Sequence, residues 1–104
     1  MPGGFRVAFV SDDGQHVVTG YDGVLLPLTY SRDLPIITFW REGAVVRRVP
    51  LSEVIRDLRK LQRTASHYRW GEYLGFNASG HFVVKTVDRG SVAFDVATGR
   101  ERAP

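Results

Sequence analysis

Three histidines and eleven Asp and Glu side chains are the groups from which a catalytic or metal site would have to be built, because the chain has no cysteine. That absence excludes a disulfide framework, a thiolate zinc site and a cysteine nucleophile together. No two of His16, His67 and His81 have the three- or four-residue spacing that puts two ligands on one helical turn, and no H-E-x-x-H occurs. His16 and His81 sit at or just after glycine turns, which reads as surface. His67 adjoins Ser66, Tyr68 and Trp70 is close by, yet neighbours in sequence do not make a nucleophile–base pair, and no G-x-S-x-G elbow is present. Carboxylates cluster in "SDDG" at 11–14 and recur at Asp22, Asp33 and Asp88. Paired carboxylates are the tools of glycoside hydrolysis. A hydrolase of that kind requires two of Asp12, Asp13, Asp22 and Asp88 to meet in one cleft. Asp beside Gly is also the ordinary chemistry of a tight turn, and that reading is favoured. "DDG" is short of a calcium loop, and the glycines punctuate strands rather than open a helix onto a phosphate. The sequence therefore predicts no catalytic residue, no metal site and no cofactor.

What remains is surface for binding. Arg56, Arg59, Lys60 and Arg63 recur at spacings that share one face of a helix, with Arg47 and Arg48 upstream and Arg69 downstream. Such a face is either a dock for an anionic partner or a solvated face whose charges answer Glu53 and Asp57 three and four residues away. Next to it, "HYRWGEYLGF" at 67–76 is dense in aromatics. Tyr68, Tyr73 and Trp70 are the residue types that anchor interfaces and equally those that fill a small β core; Trp70 is expected inside. Arg56, Arg59, Lys60, Arg63, Tyr68, Arg69 and Tyr73 are the candidate binding residues. The leading expectation is a non-catalytic protein-interaction module, self-associating or inhibitor-like. RNA or single-stranded DNA on the same surface is the alternative, since bases stack on rings while cations follow phosphates. "SGHFVVKT" falls one residue short of the sheet motif typical of RNA binders and lacks its exposed aromatics.

The elements that must hold these residues are mostly short strands. "FRVAFV" (5–10) and "QHVVTG" (15–20) flank the "SDDG" connection, and "IITFW" (36–40) and "AVVRRV" (44–49) flank "REG". Between them "VLLPLTY" (24–30) carries Pro27, which has no N–H to give and so predicts an edge strand or a bulge. "GEYLGF", "HFVVKTV", "SVAFDV" and "RERA" repeat the theme, separated by "NASG", "DRG" and "ATG". One segment differs. Leu51, Val54, Ile55, Leu58 and Leu61 form a single helical stripe and predict an amphipathic helix over 51–63, with Ser52 as N-cap, Glu53 at the positive end and Arg63 in the last turn.

"SDDGQHVVTG" and "NASGHFVVKT" echo each other: at one constant offset Gly14 matches Gly80, Val17 matches Val83, Val18 matches Val84 and Asp22 matches Asp88. Each copy runs on into a second hairpin, which predicts a duplicated four-stranded meander. These stretches, with "FDVATGRE", resemble blades of WD40-like and related bacterial β-propellers, and the chain resembles small bacterial proteins carrying such a pattern with a helix between copies. The resemblance implies a partner-scaffolding role. Two blades do not close a ring, which needs about four to eight, so the sheet edges must pair within the chain, lie under the helix, or pair with another copy. The predicted fold is mainly β, in a single domain over 1–104. It is an antiparallel meander of two blade-like four-stranded units (5–49 and 68–102), as a curved sheet or a small sandwich, with the amphipathic α-helix at 51–63 inserted between them. Phe9, Val18, Leu26, Ile37, Phe39, Val45, Leu58, Phe76, Val83 and Phe94 are expected in the core.

At 104 residues, 43% hydrophobic and 24% charged, the composition is that of a globular domain rather than a disordered segment. The net charge of +3 is well below that of a nucleic-acid-binding arm. Apolar runs such as 24–28 are too short to cross a bilayer. "MPGGFRVAFV" lacks the basic and long apolar regions of a signal peptide. A cytoplasmic location is expected if Met1 is the native start, and an exported one if a leader has been removed.

Overall fold

The computed structural model describes residues 5–21, 25–27, 29–65 and 67–102. Asp22, Val24, Leu28 and Ser66 lie outside the described residues. The first unit forms from the short strands that its turn residues delimit. Phe5–Val10 (β1) pairs antiparallel with His16–Tyr21 (β2). After Leu25–Pro27 (β3), Pro35–Arg41 (β4) returns beside β2 and Ala44–Pro50 (β5) completes the order β1-β2-β4-β5.

Next in the chain come the helical turn Leu51–Val54 (α1), a 3-10 turn at Leu58–Lys60, Gln62–Arg63 (β6) and His67–Arg69 (β7). Gly71–Phe76 (β8), Phe82–Thr86 (β9), Gly90–Asp95 (β10) and Arg100–Glu101 (β11) make a second four-stranded antiparallel meander. The fold is mainly β, with antiparallel sheets and, among the described residues, one α-helix.

A third sheet, β3-β7-β6, takes the strand expected at 24–30 out of the first unit and pairs it with His67–Arg69. Its strands are two or three residues long, too short for alternation to register. In it β3 lies on an edge, the position a strand containing Pro27 requires.

The helix prediction needs correcting. One turn forms over Leu51–Val54, closed by the Ile55 N–H on the Leu51 carbonyl, and Ile55 itself is extended at φ −106°, ψ 107°. Pro50, not Ser52, holds the N-cap position, with no side-chain cap. The reason is tertiary. Where the helix would continue, the N–H groups of Arg56 and Asp57 donate to Asp88 Oδ2 at 2.8 and 2.9 Å. The carbonyls of Glu53 and Val54 accept from Arg89 Nη2 at 3.4 and 2.7 Å. The β9–β10 turn thus supplies partners for the backbone groups that a longer helix would have paired internally. The apolar stripe is still buried: Leu51, Val54, Ile55 and Leu61 are inside and Leu58 packs partly against them. Its spacing reports burial rather than helix.

The two larger sheets pack through their inner faces. Phe39 on β4 meets Phe82 on β9 at 6.2 Å between ring centroids and Phe94 on β10 at 5.7 Å. Phe9 on β1 reaches Phe82 at 5.2 Å. Of the expected core, Val18, Leu26, Ile37, Phe39 and Phe94 are buried, and Phe9, Leu58 and Phe76 pack partly buried against them. Val45 is exposed: a register shift between Phe39 and Trp40 re-aims the start of β5 outward. Val83 is half-buried, on the other face of β9 from buried Phe82 and Val84. Trp70, between β7 and β8, is fully buried as expected.

Gly14 and Gly80 share a local geometry. Their φ angles are +73° and +80°, and each donates its N–H to the carbonyl three residues back, Ser11 and Asn77. The hairpins differ by one residue, since Ser11 N–H bonds the His16 carbonyl while Asn77 N–H bonds that of His81. In the second unit the register of β8 against β9 also shifts between Tyr73 and Gly75.

Candidate functional site: a basic strip on a braced loop

Four of the seven candidate residues lie in the segment that follows α1. Arg56 and Arg59 side chains are 64% and 90% exposed, and Lys60 and Arg63 are exposed as well. The Arg56 guanidinium reaches Glu101 at 3.5 Å. Arg59 folds back on Asp57, donating its backbone N–H and its Nε to Oδ1 at 3.1 and 3.0 Å. Those bonds hold the Asp57 carboxyl below the usual carboxylate range. The pairing expected along a continuous helix does not form. Glu53 instead takes both Arg47 Nη atoms at 2.6 Å, and Arg47 also donates to the Gly99 carbonyl at 3.0 Å. Arg47 is therefore a brace between β5, α1 and the β10–β11 turn.

The strand pairing brings ring and cation together. Across β6–β7, Arg63 stands directly opposite Tyr68 and Gln62 opposite Arg69. The Tyr68 ring is half-buried, edge-on to Tyr30 at 5.4 Å. Arg69 is partly exposed and lies 4.0 Å from Glu72. Tyr73 is turned away from this group. Its hydroxyl donates to the Ile36 carbonyl at 2.6 Å, and its ring packs against Trp70 at 5.0 Å and over Gly20. The structure thus brings Arg63 against Tyr68, turns Arg56 toward Glu101 and Arg59 toward Asp57, and keeps Tyr73 for the joint between sheets.

The residues that fix the start of this segment carry a role the sequence does not assign them: Asp88 reads as a turn former, a repeat match of Asp22 or a hydrolase carboxylate, and Arg89 only as part of the "DRG" turn. Arg89 ties α1 to β11, donating to both Glu101 carboxylate oxygens at 3.1 and 2.9 Å. An acid–base dipeptide in a tight turn is the only trace of this role in the sequence.

Of the carboxylates in the hydrolase reading, Asp12 and Asp13 line one cleft of about 410 Å3 with Ser11, His16, Phe76 and Asn77. Asp88 is occupied with the backbone of 56–57, and Asp22 lies outside the described residues. Asp13 accepts from the Ser11 hydroxyl and the Gln15 N–H, which pull its pKa below the ordinary value. That direction keeps it ionised, the opposite of what a general acid needs. Among the described residues, no group of three or more His, Asp and Glu side chains is arranged to hold a metal ion. No described helix is long and apolar enough to cross a membrane.

Comparison with protein-family models, with curated proteins and with solved structures found no match to this chain.

Proposed function

We propose that the protein is a non-catalytic interaction module that grips an acidic protein surface through Arg56, Arg59, Lys60, Arg63, Tyr68 and Arg69. One observation carries the reading: Arg63 stands opposite Tyr68, and the exposed cations that precede it follow a backbone held at 54–57 by Asp88 and Arg89. A positively charged segment with an aromatic opposite one of its arginines suits fast electrostatic capture followed by specific contact. A single nucleic-acid strand asks for several open ring faces. Here Tyr68 is half-buried and engaged with Tyr30, so a protein partner fits better.

The test is cross-linked capture from a lysate of the source cells by tagged protein, compared with the double variant Arg59→Glu, Arg63→Glu. Loss of the captured partner with an unchanged melting temperature supports the reading. Undiminished capture ends it. Tight, steeply salt-dependent binding of a single-stranded oligonucleotide would move the assignment to nucleic acid.

We infer further that the two four-stranded units descend from one blade-like hairpin pair. The matching turn geometry of Gly14 and Gly80 supports this, as does the repeated antiparallel order of the two sheets.

A further inference from the structure

We propose that a recess beside the strip, between Arg69 and Lys85, seats one carboxylate side chain of the acidic partner, and that Glu72 stands in for it in the free protein. The proposal rests on the reading above that the partner is acidic.

The recess measures about 270 Å3 and lies where two sheets adjoin. Gln62 and Arg69 face each other across β6–β7, and Glu72 and Lys85 across β8–β9. Glu72 thus lies between Arg69 and, as its cross-strand neighbour, Lys85. The Arg69 guanidinium stands 4.0 Å from Glu72, with the two side chains 40% and 45% exposed. A guanidinium and a carboxylate in full contact close to about 2.7–2.9 Å and bond through two parallel N–H groups. At the observed distance that fork is unused, and it faces a space already open to solvent.

The surroundings favour an oxyanion there. Gln62 adds amide donors that need no counter-charge, and Lys85 is exposed on the opposite wall. The Thr86 hydroxyl is already committed, donating to the Gly90 carbonyl and accepting the Arg89 N–H. Gly71 forms part of the floor, where a Cβ would lie 1.9 Å from the Lys85 carbonyl oxygen, so no side chain occupies it. Side chains alternate along a strand, so Gln62 and Arg69 face the opposite side of the small sheet from Arg63 and Tyr68, and the recess borders the 56–69 segment from its other face.

An N-acetylated tetraglutamate amide is the probe, followed by amide chemical shifts of the folded protein. Wild-type protein is expected to show shifts at Gln62, Arg69, Glu72 and Lys85 together with residues 56–63. Arg69→Ala should weaken binding about tenfold, and Glu72→Gln, which removes the internal competitor, should tighten it about threefold. If peptide moves residues 56–63 while both variants bind as wild type does, the recess assignment fails and the acidic-partner reading stands. If the peptide binds no form of the protein, both fall. Dispersed spectra of each variant establish that it is folded.

Discussion

Arg89 Nη2 donates to the Val54 carbonyl at 2.7 Å, so a turn in the second sheet terminates the only α-helix among the described residues. The same guanidinium bonds Glu101, and its neighbour Asp88 binds the next two N–H groups of the segment. Replacing Arg89 with Ala would leave two carbonyls without that donor and Glu101 with only the 3.5 Å contact from Arg56. The expected loss is ~2–4 kcal/mol of unfolding free energy, read by urea denaturation. Arg89→Lys should recover part of it, and a loss no larger than that of an exposed arginine would show that the knot is not a structural support.

Gly71 and Gly14 both have positive φ, at +154° and +73°, but their surroundings differ. A Cβ on Gly14 meets nothing within 4 Å, whereas one on Gly71 collides with the Lys85 backbone at 1.9 Å. Gly14→Ala is expected to cost ~1–2 kcal/mol for its backbone conformation alone. Gly71→Ala must separate β8 from β9 and should cost ~4 kcal/mol or more, or yield no folded protein. Thermal melts of the two variants side by side check this.

Acid should loosen the brace on α1. Hydrogen bonds from Arg47, aided by its charge and opposed by burial, hold the Glu53 carboxyl below its ordinary value of 4.5. The folded chain therefore binds that proton less readily than the unfolded chain. The resulting stability is complete above 4.5 and drains away as pH falls through the lower folded value. Melting temperatures measured from about pH 7 to about pH 3 should fall less steeply in Glu53→Gln than in wild type. The slope that persists is expected in part from Asp13, depressed by the Ser11 hydroxyl in the same direction.

Tyr68 and Tyr73 should part company under substitution. Tyr73→Phe deletes the hydroxyl that satisfies the Ile36 carbonyl and should cost ~1 kcal/mol while leaving partner capture intact. Tyr68→Ala should weaken capture. Equal loss of capture in both would mean that the aromatic segment acts as one surface, contrary to the inward setting of Tyr73.

Arg59→Glu with Arg63→Glu should leave the melting temperature within ~1 °C of wild type, because exposed charges of this kind contribute little to folding. Arg59 pairs only locally with Asp57, and Arg63 lies exposed on a two-residue strand. A large drop would mean that the strip supports the fold and would spoil its use as a neutral probe of binding.

The sequence by itself determined the strands and most of the core. Short runs of apolar and β-branched residues locate β1, β2, β4, β5 and β8 to β10, because such side chains are driven out of water, and Gly, Asp and Asn mark the turns between them. Trp70 and the 51–61 stripe were legible as buried for the same reason: water excludes large apolar side chains whatever backbone carries them. Periodicity could not say that the stripe would be wound for only one turn. That outcome depends on Asp88 and Arg89 arriving from more than thirty residues away to take the N–H and carbonyl groups of 53–57. Nor could sequence separate Tyr68 from Tyr73 or pair Glu53 with Arg47 rather than Arg56. Those choices hang on which strand lies across from which, and register and long-range hydrogen bonds exist only once the chain has closed on itself.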